Sequence, residues 1–297
     1  MDVPTTDLDP RTDRSAAPPK GGPRRRGKGD RPQVVLEVIS RSRITPNLMR
    51  VVLGGEQITR LADNDCTDKY VKLLLPDPAS GLTPPYDLDA LRAETPELLP
   101  AIRTYTVRHW DREKGRIHLD VVLHGDGALD GVAAQWADAA LPGDWVAMRG
   151  AGGGYAPDPG AGHHLLIGDH SALPAIAAAL EALPDSARGL TLLQLDHDED
   201  RLQLTHPDGV EVRWLIGERE LLLEETLALE LPDIASVQVF AHGERDIIKR
   251  LRRHLVRERG IAKEQISISA YWALGRIEDQ FQAEKREPIG RIDADDD

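Results

Sequence analysis

The feature that most constrains how this chain can fold is a change of rhythm close to residue 150. Before it, short Leu-rich or β-branched runs at 33–39, 49–53 and 69–75 are broken by the turn residues TPN, GGE and PDPASG. Two further runs follow, RTYTVRHW at 103–110 and RIHLDVVLH at 116–124. Runs of this length, bounded by Gly, Pro and Asn, read as antiparallel strands. In the last of them alternation puts His118, Asp120 and Val122 on one face and Ile117, Leu119, Val121 and Leu123 on the other. VAAQWADAA (132–140) reads as a short helix, and DWVAMRG after the turn LPGD as another strand. The first half is therefore expected to be an antiparallel six-stranded β-barrel with a helix inserted.

After Gly150, strands at HHLLIGD, TLLQLDHD, VEVRWLIG, SVQVFAHG and ISISAYWALG alternate with helical stretches at ALPAIAAALEAL, 219–230 and 244–259. Strands that alternate with helices imply a doubly wound α/β sheet. A chain of 297 residues has room for two such domains. The boundaries fall at 32–155 and 163–285, flanked by a basic arm (1–31) and an acidic tail (286–297) whose end, DADDD, is expected to be frayed.

Charge and composition narrow the function classes. The chain carries −13, but residues 1–31 hold eight basic and five acidic side chains, which leaves −16 on the rest. Folded domains of that charge repel nucleic acid. The arm sequence PKGGPRRRGKGDR could meet an anionic surface, yet its Pro and Gly content and lack of apolar residues mark it as disordered. No apolar run approaches the ~20 residues that span a bilayer, so no membrane insertion is expected. The first residues show neither a secretory nor a transit pattern, and the expected location is cytoplasmic. The single cysteine, Cys66, permits no internal disulfide and no multi-cysteine metal site. The ten histidines show no HxxxH or HExxH spacing, and His163 and His164 are strand neighbours that point to opposite faces, so no metal site is expected.

Three clusters could carry chemistry. Arg103, Tyr105 and Thr106 share one strand: a guanidinium can fork onto a phosphate, a phenol ring can cover a heterocycle, and a hydroxyl can bond a ring nitrogen. The same residues are also ordinary on an exposed barrel face. The loop HGDGALDG, with His124, Gly125 and Gly127, runs into a helix whose free N–H groups would favour a pyrophosphate, although such loops are often only turns. The run GAGGGYAP (150–157), with Gly153, Gly154 and Tyr155, precedes a strand instead of following one, so it reads as a hinge and not as a dinucleotide fingerprint. The strand-to-helix turn GDHSALPA, with Asp169, Ser171, Ala172, Leu173 and Pro174, lies where ligands of open sheets bind.

At these positions the chain resembles the siderophore-interacting protein family of flavin reductases, within the ferredoxin-reductase-like superfamily. RTYTVRHWD resembles the family's RxYTxR flavin motif, LDVVLHGDG with Trp136 its phosphate segment, and LPGDWVAMRGAGGGY its GPGG hinge. GDHSALPAIAAALEALP is similar to GDETALPAI, and SISAYWALGRIED to the closing GYWRxGxxED. The resemblance implies an FAD-binding barrel followed by a domain for NADPH or NADH. It places Arg103, Tyr105 and Thr106 on the flavin, with Thr106 at its reactive edge, and His124, Gly125 and Gly127 at the pyrophosphate. Gly153, Gly154 and Tyr155 would lie by the crevice, and Asp169, Ser171, Ala172, Leu173 and Pro174 by the nicotinamide. The implied activity is reduction of ferric siderophore iron in the cytoplasm by a monomer. The alternatives are a general flavin or quinone reductase on the same fold and a non-enzymatic flavin- or siderophore-binding regulator. Three departures stand out: His170 for the family's Glu, Ala270 and Ala273 for Gly and Arg around Tyr271 and Trp272, and a longer spacing from His124 to Trp136. An anionic chelate meeting an acidic protein needs a local basic patch. The expected patch is Lys249 and Arg252 on the helix at 244–259, with Arg276 and Trp272 nearby in sequence.

Overall fold

Six strands whose inward positions are almost all Leu, Val, Ile or Met close into a barrel. The computed structural model describes residues 32–123, 131–231, 233–285 and 287–293. The strands are β1 (Val34–Thr45), β2 (Leu48–Gly54), β3 (Tyr70–Leu75), β4 (Ala101–Asp111), β5 (Arg116–Val122) and β6 (Trp145–Gly152), joined in the order β1-β2-β5-β4-β3-β6. Alternation sends Leu36, Val38, Val51, Leu53, Leu73, Ile117, Leu119 and Met148 into one interior, each 0% exposed. Closing the sheet on itself removes the free edges that an open antiparallel sheet would present.

Among the described residues, two α-helices are inserted into the barrel half. α1 (Leu88–Glu94) lies between β3 and β4 and was not evident in the sequence. The Asp87 carboxylate caps it by accepting from the Ala90 amide, and Leu88 joins Tyr86, Val35, Leu74 and Ala147 in a cluster outside the barrel. α2 (Val132–Ala139) lays Ala133, Ala134, Ala137 and Trp136 against the barrel core.

The second half is a five-stranded parallel sheet in the order β11-β10-β7-β8-β9. Its strands are β7 (His163–Gly168), β8 (Gly189–Leu195), β9 (Val210–Ile216), β10 (Val237–Glu244) and β11 (Ile266–Trp272). Both faces are covered, and the central strand β7 carries the unbroken apolar run Leu165–Leu166–Ile167. α3 (Leu173–Ala182) packs on the face carrying Leu166, Leu193 and Phe240. α4 (Glu220–Leu227) and α5 (Arg245–Arg252) pack on the face carrying Leu165, Ile167, Leu192 and Val239. From β7 the chain moves outward to β8 and β9, then returns to place β10 on the other side of β7. That reversal leaves a crevice beyond the carboxyl ends of β7 and β10, the place where open α/β sheets bind ligands.

The acidic tail is docked just ahead of DADDD. Ile292 packs against Ala270, Ala273 and Phe281. Phe281 belongs to a last helix, α6 (Glu278–Glu284), which was also not evident in the sequence.

Barrel and sheet meet in specific contacts and form one compact unit. Leu48 of β2, 0% exposed, sits in the apolar cluster of the sheet domain. Arg108 of β4 forks onto the Glu181 carboxylate at the end of α3. Asp200, 1% exposed, accepts from Thr45 Oγ1 at 2.7 Å and from the Asn47 backbone and side-chain nitrogens, each at 2.9 Å. Burial raises the proton affinity of this carboxyl, but the three hydrogen bonds outweigh it and hold Asp200 below the usual carboxylate range. Asp200→Ala leaves buried donors unpaired, so we expect a loss of about 2–3 kcal/mol in urea unfolding. A loss under about 0.5 kcal/mol would show that the two domains do not depend on this contact.

Candidate functional site

A cleft of about 330 Å³ opens where β4 of the barrel faces the carboxyl ends of the sheet strands. That volume is at the low end of ligand pockets, ~300–1,000 Å³.

The barrel wall carries Arg103, Tyr105 and Thr106 of β4 with Tyr70 and Lys72 of β3. Strict alternation would turn Thr106 away from its two neighbours. A register irregularity between Val107 and His109 lies just beyond it, and all three side chains line the cleft. Arg103 Nη1 donates to the Ile102 carbonyl and lies 3.2 Å from each carboxylate oxygen of Asp279. Thr106 and Tyr271 both line the cleft. Burial drives the phenols of Tyr105 and Tyr271 well above the ordinary range, so both are neutral donors. Tyr70 needs its partner to be a glycine: a Cβ on Gly152 would sit 2.4 Å from the Tyr70 ring.

The sheet wall is organised by Asp169, which leaves the end of β7. Its Oδ1 accepts from the Ser171 amide at 2.9 Å and the Ser171 hydroxyl at 2.5 Å. Its Oδ2 accepts from the Glu244 amide and from Trp272 Nε1, both at 2.8 Å. Burial raises the Asp169 pKa above its ordinary value, with these four donors acting against it. Gly243 makes the approach possible, since a Cβ there would stand 2.6 Å from Asp169 Oδ2. Asp169 is thus occupied as a scaffold, and the side chains it places, Ser171 and Trp272, line the cleft together with Pro174. Ala172 and Leu173 are each 0% exposed and belong to the core under α3.

Behind Tyr271 (ring centroids 4.7 Å), His242 stacks on Phe240 with ring centroids 4.0 Å apart. Burial, with the nearby Lys285 charge adding to it, pushes His242 down to about 3, so its imidazole is neutral across physiological pH. Among the described residues no group of three or more His, Cys, Asp or Glu could hold a metal ion.

The third wall is α6. Glu278, Gln282 and Lys285, four and then three residues apart, line the cleft, while Phe281 turns inward at 1% exposure. Gln282 donates to the Glu278 carboxylate at 2.8 Å. Burial raises the Glu278 pKa and lowers that of Lys285, and Lys72 adds to the lowering of Lys285. None of these α6 residues was singled out from sequence. The i, i+4, i+7 spacing in EDQFQAEK could have shown them, and the outward period-2 position in VKLLL could have shown Lys72.

The other expected site residues lie elsewhere. His124, Gly125 and Gly127 fall outside the described residues. The expected hinge is fastened: Asp68 Oδ1 accepts from the Gly154 amide at 2.8 Å and the Tyr155 amide at 2.9 Å, and Gly153 packs against Cys66 so closely that a Cβ would clash. Tyr155 is 3% exposed and packs on Phe240. Glycine there serves close packing, and its backbone freedom is used up by Asp68. Lys249, Arg252 and Arg276 do not line the cleft. The Lys249 ammonium donates to the Ile289 carbonyl, and Arg276 is paired with Glu284. The cations that do line it are Lys72, Arg103 and Lys285.

The donor set fits a flavin dinucleotide. One wall offers a guanidinium, a phenol ring and a hydroxyl in sequence.

Residues 37–155 match the model of the siderophore-interacting FAD-binding domain, and residues 161–275 that of the siderophore-interacting protein. The chain is 40% identical to an uncharacterised protein of Mycobacterium tuberculosis, covering 86% of this chain and 96% of that one. It is 31% identical to the ferric vibriobactin reductase ViuB of Vibrio cholerae, over 84% and 93% of the two chains. Among solved structures, the siderophore-interacting protein SipS of Aeromonas hydrophila aligns with a TM-score of 0.73 and 29% identity, covering 86% of this chain and 98% of that one. The two family models together span most of the chain, which therefore belongs to the siderophore-interacting protein family.

Proposed function

We propose that the protein is an oxidoreductase that binds FAD along β4, takes reducing equivalents from NADPH or NADH, and reduces ferric iron held in a siderophore, in the cytoplasm. The observation that carries this reading is the shared cleft. Flavin-type donors on the barrel wall face the strand ends of the sheet, and three cations, Lys72, Arg103 and Lys285, line a chain that is otherwise strongly acidic.

A bound flavin would supply the conversion of a two-electron hydride into single electrons. The protein's own part is placement. Arg103 would hold a phosphate or ring oxygen, the Tyr105 ring would cover one face of the heterocycle, and the Thr106 hydroxyl would bond its edge. On the opposite wall Ser171, Pro174 and Trp272, held in register by Asp169, would border the nicotinamide. Lys72 and Lys285 would draw in the chelate, whose ferric ion loses its grip on hard oxygen ligands as it gains an electron. No side chain needs to act as nucleophile.

Two measurements check the placement. Arg103→Ala should weaken FAD binding by roughly tenfold to a hundredfold, the equivalent of ~1.5–3 kcal/mol for a charge-assisted hydrogen bond. Unchanged affinity in calorimetry would remove Arg103 from the site. The double variant Lys72→Ala, Lys285→Ala should raise the Michaelis constant for an anionic ferric siderophore, by less as salt rises, because exposed charges are screened beyond ~10 Å at 0.1 M. Flavin reduction by the nicotinamide cofactor, followed separately by stopped flow, should be unchanged. A variant slowed only in that reductive half would place the two lysines on the cofactor side.

A further inference from the structure

Arg103 has two claims on it. It lines the cleft as the donor expected to hold FAD, yet its Nη1 already lies 3.2 Å from both oxygens of Asp279. The Arg103 side chain is 15% exposed and Asp279 is 60% exposed. A negative group that reaches Arg103 must therefore displace or share with a carboxylate of the same chain. Asp279 opens the first turn of α6, and its neighbour Glu278 is one of the three α6 residues that wall the cleft. The far end of α6 is anchored by other means. Phe281 is buried against Ala270 and Ala273, and Glu284 pairs with Arg245 and Arg276. Arg103 reaches α6 only at its first turn, through Asp279, while Glu244 holds the Leu274 amide in the turn ahead of it.

We propose that Asp279 is an internal anionic competitor for Arg103, so that it sets FAD affinity and couples cofactor binding to the position of the first turn of α6. This inference rests on FAD being held at Arg103. By reciprocity, whatever the FAD phosphate gains by taking Arg103, the contact between α6 and β4 gives up. The turn that carries Glu278 would then be freed from β4 as the flavin enters. The wall facing the chelate would loosen only in the cofactor-loaded protein. The effect is modest in size, because one partner is largely exposed and such pairs are weak.

The test is a double-mutant cycle read by FAD titration of the cofactor-free full-length protein. Asp279→Asn should tighten FAD by roughly threefold to fivefold. In an Arg103→Ala background the same substitution should change the affinity by less than about 1.5-fold, because the competed group is gone. Hydrogen exchange in the peptide covering 277–283 should rise on FAD addition to the native protein and should already be raised in Asp279→Asn. An unchanged FAD affinity in Asp279→Asn overturns the competition. So does an equal tightening in both backgrounds, which would reduce Asp279 to a general repulsive charge. If FAD binds and Arg103→Ala has no effect, the flavin placement itself fails, and that result is distinct from either of the others.

Discussion

One buried carboxylate, Asp169, fastens the ends of three strands to each other. It leaves β7, bonds the backbone at the end of β10 through Glu244, and holds the Trp272 indole at the end of β11. Its two oxygens are shared evenly, two donors each, so no acceptor is left for a ligand. Four donors offset the cost of taking a carboxylate out of water, which would otherwise be several kcal/mol. The network runs on. Glu244 accepts from the amides of Asp246 and Ile247 to cap α5, and from the Leu274 amide to set the turn that leads into α6. The sheet wall and the start of the α6 wall are thus placed by one connected set of hydrogen bonds, and the barrel wall by the closure of its own strands.

This division also accounts for how an acidic protein can present a cationic cleft. With −16 on residues 32–297, the long-range field is repulsive to anions. Most cations are committed to structure: Arg50 forks onto buried Asp120, Arg108 onto Glu181, and Arg245 and Arg276 share Glu284. Lys72 and Lys285 are different. They stand in the cleft, and burial there lowers the Lys285 pKa. Charges placed within the cleft act on a ligand at short range, inside the distance over which salt screens them. In the proposed reaction the steering is therefore local and not global.

Much of this was legible in the sequence, and the failures have physical reasons. The barrel strands and the alternating sheet followed from periods of 2 and of strand then helix, because both are set by which residues must leave water. The trio on β4 was visible because three chemically distinct groups fall within four positions. Asp169 was found at the right turn but in the wrong physical role, since nothing local shows that Trp272, 103 residues later, donates to it. The basic helix at 244–259 drew notice by charge density alone, yet Lys249 is spent on the Ile289 carbonyl. The glycine run at 150–157 suggested freedom, and Asp68, distant in sequence, removes it. α6 was missed because it is short and polar, with one buried ring, Phe281, and ion pairs to residues distant in sequence such as Arg245 and Arg103.

The central claim is that the barrel wall holds the flavin while Asp169 positions the wall that meets the nicotinamide. Asp169→Asn tests it most directly. The amide keeps the shape, but whichever way it is turned, one pair of donors meets an NH₂ in place of an acceptor. Losing such a pair costs ~1–3 kcal/mol, so flavin reduction by the nicotinamide cofactor, measured by stopped flow, should slow by roughly tenfold or more. FAD affinity, set by β4, should stay within about threefold of the native value. Slowed reduction with FAD retained is the result the account predicts; reduction at the native rate, or FAD lost in proportion to the slowing, would contradict it.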